Sequence, residues 1–250
     1  MKTTLVTGIS KGIGSSIKAE LLNYGYKVFG VSRSNINDAR KNFTHITADI
    51  TKQKDIFKIQ EKLNDCDKGL DLLILNAGGV SKYGNFEDIS LDDWVESINL
   101  NIIANVNLIK ISLPLLKKSN NSHIIFVGSA VSTNPGLSNP HYIAVKSSML
   151  ALAKNLSLVY AKNNIRVNTI SPGPVLTEAM HENIKFNKPD SISLDEYSKK
   201  FLRIETSKIP LGKLINKEEI AKLIIHIDSD FAKSITGHNF IIDGGKNRHL

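Results

Sequence analysis

The sequence predicts a doubly wound α/β fold, with a parallel sheet of about seven strands and helices on both of its faces. The first observation is size, since 250 residues with 41% hydrophobic residues suit one large domain and exclude a disordered chain. The second is that short runs rich in Val, Ile and Leu alternate with longer amphipathic segments, as in strand–helix–strand units. The third is a glycine cluster after the first such run, which is typical of a tight strand-to-helix turn.

Each predicted strand is short and is bounded by Gly, Asn, Asp or Ser. The predicted strands span residues 3–7, 27–31, 43–48, 70–75, 123–127, 166–170 and 239–242. Helical periodicity occupies the segments between them, at about 12–24, 52–64, 91–118, 141–162 and 217–228. Pro114 lies inside the third helical segment, so we expect a kink or a helix start near it.

The segment 178–209 breaks this alternation, because it is polar, mixed and only weakly periodic. A linker is one interpretation, but strand-like and helix-like segments resume after it. We therefore expect residues 1–250 to form one domain, with a lid-like insertion at about 178–209 near the mouth of a site.

Charge and composition exclude several classes of protein. The formal net charge is +8, but lysine greatly outnumbers arginine and no run of like charge occurs, so we expect no nucleic-acid partner. Cys66 is the single cysteine, which excludes an intramolecular disulfide, and the histidines have no metal-ligand spacing, so we expect no metal. Only a short apolar run precedes Gly8, and no run approaches the ~18 apolar residues of a membrane span, so we expect a cytoplasmic protein with no membrane partner.

The glycine cluster has the chemistry of a phosphate-binding loop. Its glycines are Gly8, Gly12 and Gly14, and Ser10, Lys11 and Ile13 lie between them. Glycine permits a tight turn and a close approach of the backbone to a pyrophosphate, and the helix that follows offers free N–H groups to the anion. By itself the cluster is equally compatible with a structural turn. Its Gly-x-x-x-Gly-x-Gly spacing resembles the loop of the short-chain dehydrogenase/reductase family, which implies a Rossmann-type domain.

The end of the second predicted strand indicates which dinucleotide binds. A carboxylate there would bind the ribose hydroxyls of NAD and repel a 2′-phosphate, but the sequence has Ser32, Arg33 and Ser34 instead. Arg33 can pair with a phosphate, the two serines can donate to it, and Lys11 can add positive charge. We therefore expect NADP(H), with NAD less favoured; the alternative is that Arg33 and Lys11 are solvated loop charges.

Two further segments resemble cofactor-binding motifs of the family. Asp49, followed by Ile50, lies after the third predicted strand, where the family uses an Asp to hold the adenine amino group. Asn76, Ala77 and Gly78 match the end of the family's Asn-Asn-Ala-Gly motif, although Leu75 replaces its first Asn. The resemblance implies that Asn76 ties neighbouring strands together and that Gly78 approaches the cofactor ribose.

The segment after the sixth predicted strand matches the family's Pro-Gly segment, which supports the nicotinamide ring. It contains Pro172, Gly173, Val175 and Thr177. The resemblance implies that the Val175 backbone meets the carboxamide and that the Thr177 hydroxyl meets the carboxamide or the pyrophosphate.

Tyr142 and Lys146 are spaced i and i+4 on a predicted helix and therefore share one face. An ammonium beside a phenol lowers the phenol pKa from about 10, so Tyr142 could protonate a carbonyl or deprotonate an alcohol. Ser129 follows a predicted strand and precedes Tyr142 by thirteen residues, which completes the family's catalytic signature. The resemblance implies that Ser129 orients the carbonyl, that Tyr142 and Lys146 also bind the cofactor, and that Asn99 completes a proton relay.

The resemblance covers residues 2–245 and implies an NADP(H)-dependent oxidoreductase. Hydride would pass between the nicotinamide and a small-molecule carbonyl or secondary alcohol, with a 3-oxoacyl thioester as the expected kind of substrate. The alternatives are a sugar, polyol or steroid-like alcohol dehydrogenase and, outside the enzymes, a dinucleotide-binding sensor without turnover. The family also implies a homo-oligomer, a tetramer or a dimer, that packs through 91–118 and 141–162.

Overall fold

The computed structural model describes residues 1–248, and within them seven parallel strands form one sheet. The strands are β1 Thr3–Thr7, β2 Lys27–Ser32, β3 Phe43–Thr47, β4 Leu72–Leu75, β5 Ser122–Val127, β6 Ile165–Pro172 and β7 Asn239–Ile242. Their order across the sheet is β3-β2-β1-β4-β5-β6-β7, and all neighbours are parallel. The chain reverses its direction of travel across the sheet between β1 and β4, which is where such sheets bind ligands at the carboxyl ends of their strands.

Helices connect the strands and cover the sheet. They are α1 Gly12–Asn23, α2 Gln53–Leu63, α3 Leu91–Ile98, α4 Ala104–Lys118, α5 Pro140–Tyr160, α6 Glu178–Phe186, α7 Leu194–Ser207 and α8 Lys217–Ile227. A π-helical turn, Asn99–Ile103, joins α3 to α4.

The core consists of two apolar layers, one on each face of the sheet. Successive residues of a strand point to opposite faces, so Leu5 packs in one layer and Val6 in the other. Side chains of α2, α4 and α5 complete the first layer, and side chains of α1 and α8 complete the second. The predicted fold class is therefore confirmed.

The predicted helix start near Pro114 is wrong. The interruption lies at Asn99–Ile103, and α4 continues through Pro114 to Lys118. A proline cannot donate to the carbonyl four residues earlier. That carbonyl belongs to Lys110, an exposed residue, so water can replace the lost donor.

The combined stretch Leu91–Lys118 is long and apolar enough to cross a membrane by length and composition alone. Helices in the core of a globular fold pass the same test. Here Leu108, Ile109 and Leu116 of this stretch lie in the first core layer.

The segment 178–209 is more regular than its sequence indicates, because it contains α6 and α7. Each helix begins at a hydroxyl cap that accepts a backbone N–H: Thr177 from Met180 at 3.4 Å, and Ser193 from Glu196 at 3.2 Å. Acidic residues in the first turn of each helix stabilise the same ends. Residues 249 and 250, which the predicted domain includes, lie outside the described residues.

Candidate active site

A cleft of about 1730 Å³ opens at the carboxyl ends of the strands. Residues that follow the first six strands line it, together with residues of α6 and α7. Every residue that the sequence predicted to contact cofactor or substrate lies on its wall. The cleft therefore brings together groups that are up to about 170 residues apart in the chain.

The loop between β1 and α1 forms a cradle that only glycine permits. Gly8 and Gly12 have φ angles of +72° and +57°, in the left-handed region that glycine adopts at little cost. A Cβ on Gly14 would collide with the carbonyl oxygen of Gly8. Helix α1 starts at Gly12, and the Lys11 side chain makes no cap hydrogen bond, so the first-turn N–H groups point at the cleft without a side-chain acceptor. This arrangement fits the pyrophosphate of a dinucleotide.

The cradle is fixed to the neighbouring strand by Asn76. Its side-chain amide donates to the carbonyl of Thr7 at 2.9 Å and to that of Gly8 at 3.2 Å. In return, the Thr7 hydroxyl accepts the backbone N–H groups of Asn76 at 3.1 Å and Ala77 at 3.0 Å. Sequence reasoning missed Thr7, whose only signal is its position directly before Gly8.

At the end of β2, Arg33 and Ser34 are exposed on the wall of the cleft. Ser32 is buried and its hydroxyl is already in use, because it donates to the Ser34 carbonyl at 2.8 Å and lies 2.9 Å from His45 Nε2. Ser32 therefore shapes the turn that presents Arg33, and can donate to a phosphate only by breaking its bond to Ser34.

Asp49 and Ile50 line the same end of the cleft. One carboxylate oxygen of Asp49 accepts both the backbone N–H and the hydroxyl of Thr51, at 3.0 Å and 2.7 Å. Burial acts to raise the pKa of Asp49, but the Thr51 hydrogen bonds and the charges of Lys52 and Arg33 outweigh it and lower the pKa. Asp49 is thus an anionic acceptor close to Arg33.

The predicted catalytic side chains meet where β5 ends. Lys146 is almost fully buried, donates to the Val127 carbonyl at 3.0 Å, and lies 5.6 Å from the ring centroid of Tyr142. Ser129 caps a short turn, where its hydroxyl accepts a long 3.4 Å bond from Val131 N–H. The hydroxyl proton of Ser129 is therefore available to a second acceptor.

Burial opposes the acidification of Tyr142 that the sequence predicts. Burial raises the pKa of Tyr142 to about 12, although its interaction with the Ser129 hydroxyl acts to lower it. Burial lowers the pKa of Lys146 to about 8 for the same reason, since a buried site disfavours the charged form of either group. The phenol is thus protonated at neutral pH, the state that a proton donor needs.

The structure distinguishes the predicted residue Asn99 from its neighbour Asn101. Asn99 is exposed at the rim of the cleft, whereas Asn101 is fully buried. Asn101 contacts the backbone of Gly79, and a Cβ on Gly78 would lie 2.6 Å from Asn101 Oδ1 and 3.7 Å from Lys146 Nζ. Two residues correspond to about half a helical turn, which places the two side chains on opposite faces. Asn101, not Asn99, therefore lies between the Asn-Ala-Gly segment and Lys146.

The Pro172–Thr177 segment passes under the cleft between β7 and the glycine cradle. Gly173 N–H donates to the Ile242 carbonyl at 2.9 Å, and a Cβ on Gly173 would lie 2.7 Å from that of Asp243. The Thr177 methyl group lies 3.5 Å from the position of a Cβ on Gly12. Thr177 is therefore beside the phosphate cradle, and it also caps α6.

Helix α6 contacts two loops across the cleft. The Tyr83 hydroxyl donates to the Ala179 carbonyl at 3.1 Å, and its ring lies 5.7 Å from that of Phe186. On the other side, Lys11 in the glycine loop pairs with Glu182 at 3.1 Å. None of these contacts was predicted, because nothing in the local sequence shows which loops α6 reaches.

A family model described as short chain dehydrogenase matches residues 2–188. The chain belongs to the short-chain dehydrogenase family. A 3-oxoacyl-[acyl-carrier-protein] reductase FabG of Buchnera aphidicola subsp. Schizaphis graminum (strain Sg) is 30% identical, over 98% of this chain and 96% of its own length. A D-beta-hydroxybutyrate dehydrogenase of Rhizobium meliloti (strain 1021) is 28% identical, over 98% of each chain. A crystal structure of a short chain dehydrogenase family protein from Francisella tularensis subsp. tularensis SCHU S4 is 33% identical over 98% of each chain, with a TM-score of 0.89.

As a short-chain dehydrogenase, the protein is an oxidoreductase that acts on CH–OH or C=O groups and binds an NAD(P) nucleotide. The glycine cradle and the unpaired N–H groups of α1 suit that nucleotide. Within residues 1–248, no cluster of three His, Cys, Asp or Glu side chains is arranged to hold a metal ion.

Proposed function

We propose that this short-chain dehydrogenase reduces a ketone with NADPH, through Ser129, Tyr142 and Lys146. The observation that carries this proposal is the meeting of these three side chains in the cleft whose other end is the glycine cradle. A sensor without turnover would not need the three groups together. The roles of the individual residues follow from their chemistry.

In this proposal the Ser129 hydroxyl donates to the substrate oxygen and holds it beside Tyr142. Bound NADPH supplies a hydride to the carbonyl carbon. The Tyr142 hydroxyl gives its proton to the oxygen, so one C–H and one O–H bond form while the C=O π bond breaks. Lys146 then stabilises the phenolate by its charge, and a solvent proton restores the phenol.

We propose Asn101, in place of Asn99, as the positioning residue of this relay. It is fully buried, and its amide binds the backbone of Gly79 in the loop close to Lys146 Nζ. The prediction of Asn99 depends on its Ile-Asn-Leu context, whereas Asn101, two residues later, lies in a Leu-Asn-Ile context.

The charges at the end of β2 support a preference for NADP over NAD. No carboxylate follows β2, and Arg33 and Ser34 are exposed where the adenosine ribose of a dinucleotide in the cradle would reach. A well-formed pair between Arg33 and a 2′-phosphate is worth about 1.5–3 kcal/mol.

The substrate class that we favour is a 3-oxoacyl thioester, the substrate type named for the 30% identical relative. Helices α6 and α7 act as the lid in this proposal, since both line the same cleft as Ser129 and Tyr142. The cytoplasmic location, the homo-oligomer and the single-domain organisation stay predictions.

The test is a substrate panel, with oxidation of NADPH followed at the nicotinamide absorbance band. A 3-oxoacyl thioester, a 3-oxo acid, a sugar and a steroid ketone separate the substrate classes. Tyr142→Phe should lose about 10²- to 10⁴-fold in kcat while its dinucleotide affinity is kept. Tyr24→Phe, which alters an exposed tyrosine outside the cleft, is the matched control. Turnover of Tyr142→Phe at the unmutated rate would refute the proposal.

A further inference from the structure

Two carboxylates of α6 face the glycine cradle from across the cleft. Glu178 and Glu182 are spaced i and i+4, so they share one face of the helix, and both line the cleft. Glu182 Oε1 lies 3.1 Å from Lys11 Nζ, and Glu178 Oε2 lies 3.6 Å from the position of a Cβ on Gly12. Acidic side chains thus lie beside the loop that receives an anionic cofactor.

The position of Glu178 brings negative charge to the start of α1. The amino-terminal ends of α1 and α6 meet at the contact between Gly12 and Thr177, and each end carries a partial positive charge. The Glu178 carboxylate lies between these ends, where it favours both of them electrostatically. A pyrophosphate that approaches the same N–H groups meets this charge at close range.

Glu182 pairs with Lys11, the one lysine of the glycine loop. Lys11 is the cation that the loop offers to a phosphate, and in the structure its ammonium group is bonded to Glu182. Both side chains are more than half exposed, so the pair is weak and can exchange partners. A phosphate group of the cofactor and the Glu182 carboxylate therefore compete for Lys11.

We infer that Glu178 and Glu182 are negative determinants of dinucleotide affinity, which oppose the cofactor phosphates at the glycine cradle and at Lys11. This inference rests on the proposed dinucleotide-dependent function. It gives the lid a role in cofactor affinity, because the carboxylates of α6 compete with the cofactor phosphates for the cradle and for Lys11.

The experiment is a fluorescence titration of NADPH and NADH into the unmutated protein and its variants, which gives Kd without turnover. Glu178→Gln and Glu182→Gln should each lower the Kd by about twofold to fivefold, the size of a weak charge contact. In a Lys11→Met background, Glu182→Gln should lose its effect while Glu178→Gln keeps it. Asp195→Asn removes one carboxylate from α7 outside the cleft and should leave the Kd unchanged, which controls for net charge.

Thermal unfolding of each variant checks that the exposed substitutions leave the fold intact. Unchanged or raised Kd values in both glutamate variants would overturn the inference, as would an equal decrease in Asp195→Asn. Binding of neither dinucleotide by any of these proteins would overturn the proposed function as well. Binding by the unmutated protein with no response to the variants would overturn the inference alone.

Discussion

Asn101 holds both backbone polar groups of Gly79: its Oδ1 accepts the Gly79 N–H at 3.0 Å, and its Nδ2 donates to the Gly79 carbonyl at 3.1 Å. The same amide donates to the Ser97 carbonyl at 3.0 Å, and Asn105 donates to the Asn101 carbonyl at 2.7 Å. The π-helical turn of Asn99–Ile103 is therefore tied to the loop that follows β4. Such turns are often found at functional sites.

Asn101→Ala should lower the free energy of unfolding by about 1–3 kcal/mol, because it leaves the partly buried backbone groups of Gly79 without their Asn101 partners. Turnover should also fall, by about tenfold or more, since the loop beside Lys146 loses its order. Asn99→Ala is the matched control, and both its kcat and its unfolding curve should stay near those of the unmutated protein. Urea unfolding and steady-state kinetics measure the two effects, and the opposite ranking of the variants would restore Asn99 as the relay residue.

The pH dependence of turnover should follow Tyr142 and Lys146. Burial raises the pKa of Tyr142 to about 12, so the proton donor stays protonated through neutral pH. Burial lowers the pKa of Lys146 to about 8, so the ammonium is lost as the pH rises through that value. Ketone reduction should therefore be level below about pH 7 and decline above about pH 8, while alcohol oxidation, which needs phenolate, should rise with pH.

The control for this profile is Lys146→Arg, because a guanidinium keeps its charge through the whole range. Whatever activity this variant retains should lack the decline near pH 8. A decline at the same pH in both proteins would assign the titration to another group. The measurement is kcat/KM from pH 6 to pH 9.5 in both reaction directions.

Arg33→Asp should reverse the cofactor preference. The substitution removes a partner of the 2′-phosphate and adds a carboxylate that suits the ribose hydroxyls of NADH. A loss of about 1.5–3 kcal/mol weakens NADPH binding by roughly tenfold to a hundredfold. Lys41→Asp, which makes the same change of charge on an exposed residue outside the cleft, should alter neither Kd. Equal Kd values for NADPH and NADH in the unmutated protein would contradict the NADP preference.

A buried polar network near the amino-terminal ends of β5 and β6, away from the cleft, should make the stability of the protein depend on pH. His123 is fully buried on β5, where its Nδ1 lies 3.3 Å from Asp228 Oδ1 and its Nε2 lies 2.9 Å from Asn168 Nδ2. Burial lowers the pKa of His123 to about 4, and the charge of Arg166 acts in the same direction. The folded protein thus keeps this imidazole neutral under conditions in which an unfolded chain would protonate it.

The sign of the effect follows from proton uptake. Between about pH 6.5 and pH 4, His123 is protonated in the unfolded chain but neutral in the folded protein. The free energy of unfolding therefore decreases on acidification, by at most about 1.4 kcal/mol per pH unit. Urea unfolding at several pH values measures this slope. His123→Gln should flatten it, and His181→Gln, at an exposed position on α6, should leave it unchanged. An unchanged slope in His123→Gln would show that another group is responsible.

Features that depend on neighbouring residues could be predicted from the sequence. Alternating apolar runs predict a sheet buried on both faces, and the confirmed strands differ from the predicted ones by a few residues at their ends. The Gly8–Gly12–Gly14 spacing and the i, i+4 relation of Tyr142 and Lys146 are likewise local, so they could be recognised before any tertiary contact was known. Each of these patterns predicts the same local structure regardless of which other elements it packs against.

Features that depend on which surfaces meet became visible in the folded protein. The local sequence favours Asn99, but burial and the contact with Gly79 distinguish Asn101 from it. The pKa of Tyr142 moves opposite to the prediction, because burial is a property of the assembled cleft and outweighs a nearby polar group. The reach of Glu182 to Lys11 spans 171 residues of sequence, and no local pattern can indicate a contact that exists only after the chain has closed on itself.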